Sequence, residues 1–253
     1  MEVSNYSFLE GGFLVSTIVA KNVSKSFGKK EVLTAIDLTV NRGEIYGLIG
    51  PSGSGKTTLV KILVGMDSDF SGEVTVLNQP MPNMSALPHI GYMAQSDALY
   101  QELTGEENLQ FFASLYELKK TERKERIMYA AELVQLTPHL SKKVMAYSGG
   151  MKRRLSLAIA LIHNPEILVL DEPTVGIDPE LRLSIWGELT RLKQAGKTIV
   201  VTTHVMDEAE KCDRLAMVRE GKIITSGSPA ELKQQYGAVD LENVFVKAGG
   251  KRG

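Results

Sequence analysis

The spacing of apolar residues changes character several times along the chain, and each change predicts a kind of element. Residues 17–23, TIVAKNV, and 31–40, EVLTAIDLTV, alternate or cluster β-branched residues, as strands with one wet face do. The turn NRGE then leads into EIYGLIG, a continuous apolar run typical of a strand buried on both faces. A helix carrying Leu59, Ile62 and Leu63 at core-facing spacing follows, and SGEVTVLNQP and HIGYMAQ read as further strands. From about Ser96 the pattern becomes helical. Thr104 and Glu107 form a capping box ahead of NLQFFASLYEL, and TERKERIMYAAELVQL follows as an amphipathic helix. After Ser148, the residues Met151, Leu155, Ala158, Ile159 and Ile162 mark one face of a third helix, which HNP ends.

Strands and helices then alternate: EILVLDE, a helix opened by Asp178 and Pro179, KTIVVTTH, a helix through MDEAEKC, and the hairpin RLAMVREGKIITSG. The last helix expected starts at Ser228, with Pro229 in its first position and Glu231 closing a capping box, and it stops at Gly237. Such alternation predicts an α/β domain with a largely parallel sheet and a helical insertion over about 96–164. Residues 1–16 read as an extension, 17–237 as the domain, and 238–253 as a short tail. No repeat or low-complexity segment interrupts this order.

Composition adds exclusions. With 253 residues, 43% hydrophobic and 23% charged, the chain suits one large domain with a core. The formal charge of -1 offers no whole-molecule attraction for nucleic acid, and no nucleic-acid partner is expected. Cys212 is the only cysteine, which excludes an internal disulfide and any cysteine cluster for metal; it reads as a small residue in a helix. No apolar run approaches the roughly 18 residues of a membrane helix, and the N-terminus lacks the features of a secretory leader. A soluble protein is expected, with any membrane role exercised through a partner.

The chemistry-bearing residues lie between these elements. GPSGSGKTT, Gly50 to Thr58, matches the P-loop pattern in full, between a strand and a helix. Backbone N–H groups from Gly50, Pro51's successor Ser52, Gly53, Ser54 and Gly55 onward form a nest for phosphate oxygens at a helix N-terminus. Lys56 can reach the outer phosphates, Thr57 can ligate Mg²⁺, and Pro51 and Thr58 belong with the nucleotide-binding residues of the same segment. ILVLDE places Asp171 at the C-terminal edge of a buried strand, suited to the surroundings of a Mg²⁺, with Glu172 one residue on to polarise an attacking water.

A third segment, YSGGMKRRLSLA from Tyr147 to Ala158, lies about twenty residues before the acidic strand. Together with SKSFG, GPSGSGKTT, YMAQ, ILVLDE, VGIDP and TTH, taken in order from about Thr17 to Gly237, it resembles the ATP-binding cassette (ABC) family. The resemblance implies a P-loop NTPase cassette with a RecA-like parallel-sheet core, an N-terminal antiparallel β subdomain and an inserted α-helical subdomain. It implies that Phe27 stacks on adenine, with an apolar strand end as the plainer reading of that residue. Gln95 would sense Mg²⁺ and the attacking water, and His204 would be the switch histidine on the γ-phosphate. His89, His139 and His163 receive no role. Ser148, Gly149 and Gly150 would contact ATP held by an opposing cassette, so that a complete site needs two chains. Asp178 either crosses to the partner's site or caps its own helix, or does both.

Tyr147 and Met151 depart from the Leu and Gln usual in the signature, and VGIDP has Val and Ile where Ser and Leu are commoner. Neither departure removes a catalytic group. The resemblance further implies ATP hydrolysis with Mg²⁺, a separate membrane permease as partner, and a position on the inner face of the cell membrane. Phe111, Phe112, Leu115 and Tyr116 are candidates for permease docking, or simply core. DLENVF, YSGGMKRRLSLA and PTVGIDPELR resemble the exporter branch for drugs, antibiotics or envelope components. An importer ATPase and a cassette in a non-transport complex are the alternatives.

Overall fold

The structure is a computed structural model that describes residues 8–9, 12–13, 15–95, 98–116 and 118–250. After a short antiparallel pair, β1 (Phe8–Leu9) and β2 (Gly12–Phe13), the long strands β3 (Ser16–Phe27) and β4 (Lys30–Asn41) fold back on each other. The rest of the extension expected over 1–16, Val15 and Ser16 aside, lies outside the described residues. Strand β5 (Ile45–Ile49) runs into α1 (Lys56–Leu63), and β6 (Ser71–Val76) and β7 (Gln79–Pro80) return to complete an antiparallel sheet of order β4-β3-β6-β7. Next come β8 (Ile90–Met93) and three helices, α2 (Gly105–Leu115), α3 (Lys120–Leu133) and α4 (Gly149–Leu161). The chain closes with β9 (Ile167–Asp171), α5 (Pro179–Gln194), β10 (Thr198–Thr203), α6 (Met206–Ala209), β11 (Arg214–Arg219), β12 (Lys222–Gly227), α7 (Pro229–Tyr236) and α8 (Leu241–Ala248).

The second sheet has the order β12-β11-β5-β10-β9-β8, parallel throughout except where β12 pairs antiparallel with β11. Every residue of β5, β9 and β10 is buried, and the pleat explains why. Tyr46, Leu48, Ile167, Val169 and Val200 face a core shared with α1 and the antiparallel sheet. Ile45, Leu168, Leu170, Ile199 and Val201 face the opposite core, shared with α4 and α5. Each of these fully buried large side chains contributes roughly 1.5–3 kcal/mol. The parallel-sheet core, antiparallel β layer and helical insertion expected from the sequence are thus all present.

Two arginines lace the insertion to itself. Arg126 on α3 donates through Nε to Ile162 O at 3.0 Å and through Nη2 to Leu161 O, at the C-terminal end of α4. Arg154 on α4 reciprocates by donating to Val134 O and Gln135 O, both at 3.3 Å, at the end of α3. A cation at a helix C-terminus meets both the dipole and the unpaired carbonyls there.

The β11–β12 hairpin backs the Gly-rich loop. Gly221 N–H donates to Ser54 O at 3.0 Å, and Gly221 O accepts from Thr34 N–H at 2.8 Å, so the hairpin turn joins the loop to β4. A Cβ at Gly50 would stand 2.1 Å from Val218 O, and one at Gly221 would stand 2.4 Å from Val32 O.

Three expectations change. The segment expected as a tail contains α8, capped by Asp240, whose Oδ1 accepts from Asn243 N–H at 2.7 Å; Leu241 and Val244 bury against α6 and α7. The helix through MDEAEKC spans only Met206–Ala209. Cys212 therefore lies in the turn after it, buried, where Gly47 leaves room for its sulfur and burial pushes the thiol up to about 12.

Candidate functional site

The loop between β5 and α1 owes its shape to backbone that only glycine adopts readily. Gly53 and Gly55 have φ of +79° and +108°, and a Cβ at Gly55 would meet Leu33 Cδ2 at 2.7 Å. No side chain caps α1, so its first N–H groups point into the loop's concavity as donors for an anion. Lys56 is 5% exposed, and its ammonium donates to Gly50 O at 2.7 Å and Pro51 O at 3.0 Å. Burial pushes its pKa below the usual lysine value, against the pull of Glu172 and Asp171.

These residues line a cavity of about 370 Å³. Ser52, Gly53, Gly55, Lys56, Thr57 and Thr58 supply one wall, Phe27 another, and Gln95 and Glu172 face them. Phe27 is 56% exposed, an unusual position for a ring with only a core role. It is held from beneath: Lys25 Nζ lies 4.9 Å from the ring centroid and donates to Asp67 Oδ1 at 2.9 Å, in the segment that follows α1. The platform and the P-loop helix are therefore tied by one buried lysine.

Asp171 and Glu172 occupy the end of β9. Asp171 Oδ1 accepts from Thr202 Oγ1 on the neighbouring strand, while Oδ2 is buried without a protein partner. Glu172 has φ of +52°, a left-handed conformation that costs a non-glycine residue about 1 kcal/mol or more. Its N–H donates to Thr202 Oγ1 at 3.0 Å, and its Oε1 lies 3.2 Å from His204 Nδ1. His204 is half-exposed beyond the end of β10, and it meets Glu172, which lines the cavity.

Mg²⁺ fits this donor set. The orphaned Asp171 Oδ2, the Thr57 hydroxyl and the Gln95 amide are hard oxygen donors around the loop. Among the described residues, no group of three or more His, Cys, Asp or Glu could hold a metal alone. A Mg²⁺ here would draw its other ligands from phosphate oxygens and water, as that ion prefers.

Ser148, Gly149 and Gly150 do not line this cavity. They open α4, where Ser148 Oγ accepts from Met151 N–H at 3.2 Å. A Cβ at Gly150 would stand 3.0 Å from Gly176 O, which places the α4 start against the segment containing Asp178. Asp178 caps α5 by accepting from Leu181 N–H at 3.0 Å. Neither group lines the cavity of the chain's own phosphate loop. Tyr147, the departure from the signature's Leu, is accommodated by Gly105: a Cβ there would stand 2.2 Å from Tyr147 Oη, which donates to His139 O at 2.8 Å.

Sequence reasoning missed several residues that build this site. Asn108, fully buried on α2, donates to Tyr100 O at 3.0 Å and Thr104 O at 2.9 Å, and accepts from Tyr100 N–H at 2.9 Å, fixing the chain that follows Gln95. Glu208, 3% exposed, accepts from Thr174 Oγ1 and from Thr203 Oγ1, the latter at 2.7 Å, joining the segment after Glu172 to the one before His204. Lys25 and Arg153 complete the set. The only sequence signal for Glu208 was a carboxylate near the start of a short helix; Lys25 and Arg153 stand inside the SKSFG and YSGGMKRRLSLA segments without being singled out there, and Asn108 gave none.

Comparison with known proteins bears on the family and the fold. The family profile described as ABC transporter matches residues 33–175, more than half of the chain. The chain is 42% identical to the probable multidrug ABC transporter ATP-binding protein YbhF of Escherichia coli (strain K12), over 87% of this chain but only 38% of that protein's length. It is also 42% identical to the Nod factor export ATP-binding protein I of Rhizobium sp. (strain N33), over 88% of this chain and 74% of that protein. A solved dimeric structure of a post-hydrolysis state of the ATP-binding cassette MJ0796, bound to ADP and Pi, superposes with a TM-score of 0.77 at 28% identity, covering 83% of this chain and 98% of that one. A phosphate loop facing a buried acidic strand end, a matching fold and a relative aligned along most of its own length lead to one assignment: the chain belongs to the ABC transporter family.

Proposed function

We propose that this chain is the ATP-hydrolysing subunit of an export system, working as a pair of cassettes that drives a separate membrane permease. The observation that carries the reading is the Glu172 carboxylate, which faces the phosphate loop across the cavity while His204 holds its Oε1. Phe27 stacks on the adenine of ATP, and the N–H groups from Gly50 to Thr58 hold the phosphates. Lys56 exchanges the Gly50 and Pro51 carbonyls for outer phosphate oxygens, a trade that its desolvated position favours. Thr57, Gln95 and Asp171 would hold a Mg²⁺, which would supply neutralisation of the charge developing on the phosphates. Glu172 accepts a hydrogen bond from the attacking water and orients it in line with the bond from the γ-phosphorus to the bridging oxygen. That bond breaks as the water oxygen bonds to phosphorus, giving ADP and inorganic phosphate. His204 fixes the carboxylate and contacts the γ-phosphate.

Ser148, Gly149 and Gly150 do not line their own chain's cavity, and in this reading they donate to the γ-phosphate held by a second cassette. Asp178 reaches the same shared site while capping α5. The second chain is an identical copy or a paralogue. Among the described residues no helix is long and apolar enough to cross a membrane. In this reading the permease is a separate partner, docking beside the Gln95 loop, and it holds the cassettes at the cytoplasmic face of the membrane. Tyr100, Phe111 and Leu115 offer exposed apolar surface there, with the Tyr100 and Phe111 rings in edge contact at 4.7 Å. Export is favoured by the names of the multidrug and Nod factor export relatives.

Glu172→Gln tests the reading. Turnover should fall by about 100-fold or more while ATP binding persists and a dimer accumulates in ATP, read by steady-state kinetics and gel filtration. Ordinary hydrolysis by this variant overturns the role of Glu172, and co-purification of the native protein with ribosomes in place of a membrane permease overturns transport.

A further inference from the structure

The pairing of β8 with β9 ends at Met93 opposite Leu170. Beyond that point the two chains diverge, one carrying Gln95 and the other Asp171 and Glu172. Their carbonyls leave the shared ladder there and must be satisfied by another donor. Arg153, on the second turn of α4 and 7% exposed, spans the fork. Its Nη1 donates to Ala94 O at 2.7 Å and Gln95 O at 2.9 Å. Its Nε and Nη2 donate to Glu172 O at 3.2 and 2.7 Å, and Nη2 also donates to Asp171 O. A rigid planar guanidinium is the side chain that can serve carbonyls from two directions at fixed relative angles; a lysine ammonium can reach the same place but cannot impose the plane.

We propose that Arg153 is a positioning residue that holds Gln95 and Glu172 in mutual register across the ATP cavity, from the helix whose start carries Ser148 to Gly150. Glu172 is the residue with the left-handed backbone, and its carbonyl accepts from both Nε and Nη2 of Arg153. The clamp keeps this turn in the conformation that aims its carboxylate at the phosphate loop. Because Arg153 grips the backbone on both sides, a displacement of the Gln95 loop or a rotation of α4 is transmitted to Glu172. Nucleotide affinity does not pass through it, since Phe27, the loop N–H groups and Lys56 bind ATP without touching it. The inference deepens the hydrolysis reading above and rests on it for its kinetic arm.

The experiment compares the purified full chain with Arg153→Ala and Arg153→Lys. For the alanine variant, kcat should fall about 100-fold with KM for ATP held within about twofold, and added guanidinium ion should restore part of the rate. The lysine variant should fall between the two. Hydrogen exchange, which needs no turnover, should show the segments around Gln95 and Glu172 both opening faster in Arg153→Ala. Retention of kcat within about twofold, a KM that rises in step with the loss of kcat, or faster exchange confined to α4 overturns the proposal. A wild-type chain without ATPase activity overturns the hydrolysis reading instead, and the exchange measurement still decides the role of Arg153.

Discussion

At the scale of single residues, a histidine with no part in catalysis makes the sharpest prediction. His163, at the end of α4, stacks on Tyr116 with ring centroids 3.7 Å apart and planes 2° from parallel, while its Nε2 contacts Ile90 O at 3.2 Å. Burial pushes its pKa from 6.5 down to about 4; the bond to Ile90 opposes this, and Arg126, Lys197 and His89 add to it. As pH falls below about 6.5 the unfolded chain takes up a proton that the folded chain refuses, so stability is lost between there and about 4. The loss should reach about 2 kcal/mol near pH 5 relative to neutral pH. His163→Phe keeps the stack and should flatten this part of the melting-temperature profile. Equal acid sensitivity in both proteins would assign the effect to other groups. The same contrast between type and place governs what could be read beforehand. Gly50 to Thr58, Asp171 and Glu172 announce themselves because phosphate and metal chemistry demand fixed residue types at fixed spacing. Arg153, Lys25, Asn108 and Glu208 do their work through backbone atoms or partners far away in the chain, and no local pattern distinguishes them.

Among the elements, the buried strands were legible because β5, β9 and β10 are apolar on both faces, and α2 and α7 because their capping boxes stand in the sequence. Helix α8 was not. It is eight residues long, with only Leu241 and Val244 fully buried, too short a stripe to establish a period. Its Asp240 cap was nevertheless present. Because α8 packs on α6, directly after His204, it forms part of the packing behind that histidine. Leu241→Ala should therefore destabilise the protein by about 2–4 kcal/mol, measurable by urea or thermal unfolding. A loose tail would show no change.

For the whole molecule, the proposed pairing, in which Ser148 to Gly150 serve a second cassette, makes activity a property of pairs. Specific activity per chain should fall toward zero as the protein is diluted below its dimerisation constant in ATP. Constant activity on dilution would locate the full site in one chain. A second consequence follows from the hairpin turn that joins the phosphate loop to β4 through Gly221. With φ of +76° and Val32 O only 2.4 Å from a built Cβ, this position has no room for even one methyl group. Gly221→Ala should push the turn away from Ser54 and weaken ATP binding by about tenfold or more in a titration, while wild-type affinity would show the turn to be compliant. The nucleotide pocket thus has a keystone some 165 residues downstream of the loop it braces, outside every recognisable signature. A survey that scored damage by motif alone would pass over it.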